Sequence, residues 1–142
     1  AWLNKQDRSK AIAYWKKELV NATPTKIGTE VIEKANYIRE LFALSESQTN
    51  ALAQFAKEAG VTLNTVFQAV WSLILSQHTR QKEVTFGVTV SGRSISLSGI
   101  EDMVGIFINT VPFKVEIRPH ESLRDFLQRI QKVTITHQDN SY

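Results

Sequence analysis

The stretch Phe86-Gly87-Val88-Thr89-Val90-Ser91-Gly92-Arg93, followed by Val104-Gly105-Ile106-Phe107-Ile108-Asn109-Thr110-Val111-Pro112, decides how this chain folds. From Glu83 to Val90, the apolar residues Val84, Phe86, Val88 and Val90 alternate with Thr85, Gly87 and Thr89. That period of two belongs to a strand with one buried face. A Ser/Gly-rich loop runs from Ser91 to Glu101, and a second β-rich run extends from Val104 to Ile117. Pro112 has no N–H to give to a ladder, which implies an edge position or a bulge. Alternation also puts Phe107 and Asn109 on one side of the strand. If Phe107 is buried, so is Asn109, and its amide then needs partners.

Outward from these strands the pattern turns helical. Upstream, Val66, Phe67, Ala69, Val70, Trp71, Leu73, Ile74 and Leu75 cover almost the whole circumference of one helix, which must be buried on most sides. It ends in the polar Gln77-His78-Thr79-Arg80. Before it, Ser45 and Gln48 have capping-box spacing, so a helix runs from about Glu46 to Ala59 and stops at Gly60. Val31, Tyr37, Ile38, Leu41, Phe42 and Leu44 favour a strand ending near Leu44, although Glu33, Lys34 and Ala35 favour helix. Asn21 to Thr29, with Pro24 and Gly28, reads as a linker. An amphipathic helix from about Ser9 to Leu19 precedes it, with Ile12, Trp15 and Leu19 on one face. Downstream, Ser122 and Asp125 open a last helix whose Leu123, Phe126, Leu127, Ile130 and Val133 keep the 3.6-residue period. The order is helix, strand, two helices, strand, strand, helix. That makes an α/β unit, a mixed sheet covered by helices.

The 142 residues suffice for one domain with a sizeable core, and 42% hydrophobic with 22% charged residues is ordinary for a globular chain. The net charge of +3 is spread among interleaved acids, with no basic stripe bearing aromatics, which argues against nucleic acid as a partner. No apolar run reaches the roughly 20 residues of a membrane span. The absence of cysteine excludes disulfides and thiolate metal sites and agrees with a reducing cytoplasm. The chain opens on Ala1-Trp2-Leu3 and stops at Asn140-Ser141-Tyr142, so it reads as a piece of something longer.

Side chains capable of chemistry are few. His78, His120 and His137 show no metal-ligand spacing with one another or with a carboxylate, so no metal site is expected. His78 suits the end of a helix as a cation, and His120, beside Pro119, suits a solvated loop. Glu101-Asp102 are adjacent and diverge in direction, which favours a capping or solvated role over paired acid/base work. There is neither a nucleophile elbow nor a phosphate-binding loop. Two features stand out. Arg93 is a charge placed directly after an apolar strand, where crevices form in α/β sheets; it can be a site residue or an exposed loop residue. Asn109-Thr110 are polar within an apolar run, as a functional pair or a structural hydrogen-bonding one.

Several segments resemble the condensation domains of non-ribosomal peptide synthetases. Val104 to Pro112 resembles the motif IGxFVNT, and Phe86 to Arg93 the strand and turn FGxxVSGR. Gly99-Ile100-Glu101-Asp102-Met103 resembles the link between the two. Thr62 to Trp71 is similar to that family's buried helix, Tyr14-Trp15-Lys16-Lys17-Glu18-Leu19 to a YWxxxL segment near a lobe junction, and His137-Gln138-Asp139 to the start of a late (H/N)QD motif. The similarity covers essentially the whole chain in the family's order.

The resemblance implies a fold like that of chloramphenicol acetyltransferase, two lobes in a V around a tunnel. Residues 1–142 would be the C-terminal subdomain, with 1–29 a lobe-junction helix and linker and 30–142 the lobe core. It implies amide formation between a donor carried as a thioester on phosphopantetheine and an amine acceptor, each presented by a peptidyl carrier protein. The N-terminal lobe and a neighbouring adenylation domain would be partners, and no cofactor would bind the chain directly. The family's HHxxxDG signature is absent, so no catalytic residue is expected here and the chain alone should be inactive. Arg93 would pair with the signature's Asp across the lobe interface. Without that partner it should turn to solvent or find a local carboxylate. Asn109, with Thr110, would line the tunnel wall, and Ser91, Gly92, Gly105, Phe107, His137, Gln138 and Asp139 complete the matched motifs. Asn109-Thr110 favours ordinary condensation over the epimerising and heterocyclising relatives. Two alternatives stay open: a non-catalytic carrier-protein docking or scaffold lobe, and an acyl-CoA-dependent transferase of the same broad fold. The surface left by the partner lobe makes self-association an expectation.

Overall fold

Two strands form the frame that positions everything else. In the computed structural model, which describes residues 7–28, 38–94 and 98–141, β1 (Glu83–Ser91) runs antiparallel to β2 (Ile108–Glu116). Val84 lies opposite Val115, Phe86 opposite Phe113, Val88 opposite Val111 and Val90 opposite Asn109. These pairs share one face, and Val84, Val90, Val111, Phe113 and Val115 are buried on it, as the alternation requires. The ladder extends beyond both strand ends, with Gly92 N donating to Phe107 O and Ile117 N to Lys82 O, each at 2.7 Å. Hydrogen-bonded and non-bonded pairs alternate along such a ladder. Pro112, opposite Gly87, therefore falls in a non-bonded pair, and its missing N–H costs no bond to β1. β2 has no further strand partner among the described residues, so Pro112 sits on an edge.

The helices follow from their caps. α1 (Arg8–Glu18) starts on Asp7, whose carboxylate accepts from Ser9 N at 3.0 Å. α2 (Glu46–Ala59) begins with the expected capping box: Gln48 N donates to Ser45 Oγ at 3.2 Å and Ser45 N to Gln48 Oε1 at 2.9 Å. It ends on Gly60 at φ 70°, a left-handed position that glycine adopts without a Cβ penalty. α3 (Leu63–Thr79) and α4 (Leu123–Asp139) are capped by Thr62 and Ser122. Ala56 and Ala59 of α2, Val66, Ala69 and Leu75 of α3, and Phe126, Leu127 and Ile130 of α4 close over Val84, Phe113 and Val115 to make the core.

Four expectations need correction. Residues 38–44 form no strand; Leu41 and Phe42 are about nine-tenths exposed, and no described strand pairs with them, so nothing supplies a ladder. Residues 29–37, the rest of that expected strand, lie outside the described residues, as do Trp2 and Leu3. The described sheet is purely antiparallel instead of mixed. α3 is not buried on most sides: Phe67, Val70, Trp71, Leu73 and Ile74 are exposed, while Thr65, Gln68 and Ser72 are buried. Hydrogen bonds decide that orientation. Gln131 Oε1 accepts from Thr65 Oγ1 at 2.7 Å and Gln68 Oε1 from Thr134 Oγ1 at 2.8 Å, so a polar seam joins α3 to α4. On α1, Ile12 is exposed, and Ala11, Tyr14, Trp15 and Glu18 face inward instead. The linker after α1 is tied to the sheet. Thr25 N donates to Thr85 O at 3.0 Å, Thr85 N to Thr25 Oγ1 at 2.8 Å, and Lys114 Nζ to Val20 O at 3.1 Å.

Candidate functional site

The chemistry-bearing residues gather at the end of the hairpin where β1 leaves the sheet and β2 enters it. Ser91 is the last residue of β1, and Gly92–Ser94 form a single 3-10 turn. Gly92 is dictated by space: a Cβ there would lie 2.5 Å from Phe107 O, the atom that accepts its own N–H. That close approach delivers Arg93 onto the face of Phe107, with the guanidinium carbon 4.2 Å from the ring centroid, a cation–π contact. Gly105 lies against the edge of the same ring.

Arg93 is half-buried, and neither of its expected fates is observed. It finds main-chain carbonyls in place of a carboxylate or solvent. Nη1 donates to Ile100 O and, at 3.4 Å, to Glu101 O; Nη2 donates to Met103 O at 2.8 Å. Residues Ile100–Asp102 form a second 3-10 turn, in which Ile100 O accepts from the capping Met103 N at 3.3 Å and keeps a lone pair for the guanidinium. A guanidinium with fixed, forked donors reaches the carbonyls of Ile100, Glu101 and Met103 at once. Glu101 and Asp102 are themselves exposed, in keeping with a solvated role.

Asn109 is exposed, not buried, although it is on the core face of β2 as alternation requires. Its position at the strand end explains this, since the core has tapered off there. Its amide is nonetheless partnered. Nδ2 donates to Ser141 O at 2.9 Å, and Oδ1 accepts from Thr110 N at 2.9 Å. Thr110, opposite Thr89, belongs to the other face and is exposed. Arg93 and Asn109 therefore lie at one end of one ladder: Val90, paired with Asn109, is three residues before Arg93.

The late motif divides. Gln138 and Asp139 are exposed on the last turn of α4, whereas His137 is 1% exposed. Its ring is enclosed by Trp15, Phe113 and Tyr14, with centroids at 4.8, 5.0 and 5.8 Å. Neither ring nitrogen has a hydrogen-bond partner among the described residues; Nε2 lies 3.7 Å from Glu18 Oε1, beyond hydrogen-bond reach. Burial pushes the imidazole pKa below its usual value, and the Glu18 charge opposes this only in part. Burial, with the Glu18 charge adding, raises the Tyr14 phenol to about 12. Trp15 Nε1 donates to Asn140 O at 2.8 Å, so α1, β2 and the end of α4 meet around one histidine. Sequence reasoning placed His137 in a motif but missed this cage. The relevant signal was Trp15, whose spacing put it on the inner face of α1.

All of residues 1–142 match the family model described as condensation domain. The chain belongs to the condensation domain family. This condensation domain segment is 40% identical over 134 residues to a plipastatin synthase polypeptide of Bacillus subtilis (strain 168), covering 92% of this chain and 5% of that one. It is 36% identical over 137 residues to tyrocidine synthase 3 of Brevibacillus parabrevis, covering 92% of this chain and 2% of that one. Its structure matches the first condensation domain of the CDA synthetase with a TM-score of 0.79 at 21% identity, over 98% of this chain and 31% of that one. The fold is thus the α/β, chloramphenicol acetyltransferase-like fold, and the chain spans a small part of the synthetases and about a third of the solved domain. No single described helix is long and apolar enough to cross a membrane.

Proposed function

We propose that this segment is the C-terminal-lobe wall of a cytoplasmic domain that forms amide bonds, with 1–29 leading from the lobe junction and 30–142 forming the lobe core. The donor is an acyl or peptidyl group held as a thioester on the phosphopantetheine arm of one peptidyl carrier protein; the acceptor is an amine on a second. The amine nitrogen attacks the thioester carbonyl, the C–N bond forms, the C–S bond breaks, and the thiol leaves on the donor carrier. The amine proton passes to a base that this chain does not contain, since it has no HHxxxDG sequence. The N-terminal lobe supplies that base, and an adenylation domain loads the carriers.

One observation carries this reading: the hairpin end sets Arg93, Phe107 and Asn109 side by side in the motifs that resemble FGxxVSGR and IGxFVNT. Within it, Arg93 shapes residues 100–103 and turns its remaining N–H groups toward the HHxxxDG loop. Asn109 and Thr110 line the cleft.

The test supplies the missing polypeptide in trans, with a thioester donor and an amine acceptor on their carriers. Amide formation only when both pieces are present is the expected result. Turnover by this chain unaided would overturn the proposal. Failure of complementation together with saturable binding of a labelled carrier protein would make the chain a docking module instead.

A further inference from the structure

His137 is a buried titratable group that the proposed chemistry does not use. Its cage joins three elements: Tyr14 and Trp15 come from α1, Phe113 from β2, and the histidine itself from the last turn of α4. The residues just beyond it complete a clasp, because Asn140 O accepts from the Trp15 indole and Ser141 O from the Asn109 amide. Whatever displaces the end of α4 therefore loosens α1 and releases Asn109 in the same motion.

We propose that His137 is a proton-sensitive clasp, closed when the ring is neutral and opened when it is protonated, which couples the seating of α1 to the hold on Asn109. The neutral ring packs among three aromatic side chains at 1% exposure. A charged ring in that place has lost water, and the carboxylate nearest to it, Glu18 Oε1, stands 3.7 Å away. Glu18 Oε1 at 3.7 Å is the charged group that acts on it from α1, where the Tyr14 phenol is the other titratable neighbour. From β2 the uncharged Phe113 ring faces it, and on α4 the nearby Asp139 is exposed to solvent. Burial outweighs the charge and hydrogen bonding that Glu18 offers, and the pKa is depressed accordingly. The sign follows. The opened clasp, with His137 in water, takes up a proton near the usual value of 6.5, and the closed one only at lower pH. Closure is thus fully present above about 6.5 and weakens as pH falls below it, by up to about tenfold per pH unit, the limit for one coupled proton.

Hydrogen exchange of the 142-residue chain between about pH 7.5 and 5.5, a window that brackets the free histidine pKa, tests this, with α2 amides as the internal reference for intrinsic rates. Protection of residues 8–18 relative to α2 should fall toward acid. His137→Phe, which fills the cage with an uncharged ring, should leave that ratio flat. Glu18→Gln leaves the cage intact and removes the opposing charge, so the loss should continue to lower pH than in the parent chain. Three results would each overturn the clasp: the same acid response in His137→Phe, a loss shared equally by α2, or protection of α1 that rises in acid.

Discussion

At the scale of single residues, the site rests on close approaches. Gly92 admits no Cβ because Phe107 O would be 2.5 Å away. Gly92→Ala should force the two backbones apart and cost about 1–3 kcal/mol, the usual range for overpacking. Denaturant unfolding measures this, and the Arg93–Phe107 contact should be lost with it. Arg129 and Glu121 behave differently. Arg129 Nε and Nη2 donate to the two Glu121 oxygens at 2.8 and 2.6 Å, with side chains 22% and 12% exposed. Hydrogen bonds from Arg129, opposed in part by burial, hold the Glu121 carboxyl below its usual pKa. A depressed carboxyl stabilises the fold above its unfolded pKa of 4.5 and loses that contribution as pH falls. Glu121→Gln should cost about 1–3 kcal/mol at pH 7. It should also flatten the acid limb of a stability-versus-pH curve below about pH 4.5. Sequence alone picked out Arg93 and Asn109 but not their partners. Arg93 takes main-chain carbonyls and Asn109 takes Ser141 O, and a carbonyl belongs to every residue, so no side-chain pattern announces it.

At the scale of elements, local signals were read well and orientation was not. The capping box at Ser45 and Gln48, the Gly60 stop and the β1 alternation are contained within a few neighbouring residues, and the structure keeps each of them. β2 begins at Ile108 instead of Val104, because residues 104–107 bend around Gly105 under the Phe107 ring. α3 shows why composition misleads: its apolar circumference does not reveal that Thr65, Gln68 and Ser72 turn inward, the first two to bond with α4. Two variants of this helix should therefore separate sharply. Leu75→Ala removes a buried side chain and should cost about 2–5 kcal/mol. Trp71→Gln alters a residue 42% exposed and should stay within about 0.5 kcal/mol in thermal or denaturant unfolding, while lowering the tendency to self-associate.

At the scale of the whole molecule, the described residues place a two-stranded sheet under three helices and leave an apolar face on α3 without cover. An isolated two-stranded sheet is marginal by itself and depends on the helices packed over it. The chain spans about a third of a solved condensation domain chain. The family was legible because its motifs are continuous segments of sequence, in strands, turns and helices alike. The convergence of Tyr14, Trp15 and His137 was not, because about 120 residues separate α1 from the end of α4 and only packing brings them together. The central claim is that the hairpin end bearing Asn109 forms part of the reaction cleft. Its most direct test is the single-turnover rate of amide formation by an intact condensation domain carrying this segment, with and without Asn109→Ala. The rate should fall about tenfold or more, the equivalent of ~1.4 kcal/mol of transition-state stabilisation, with the fold retained. An unchanged rate in a folded variant would contradict it.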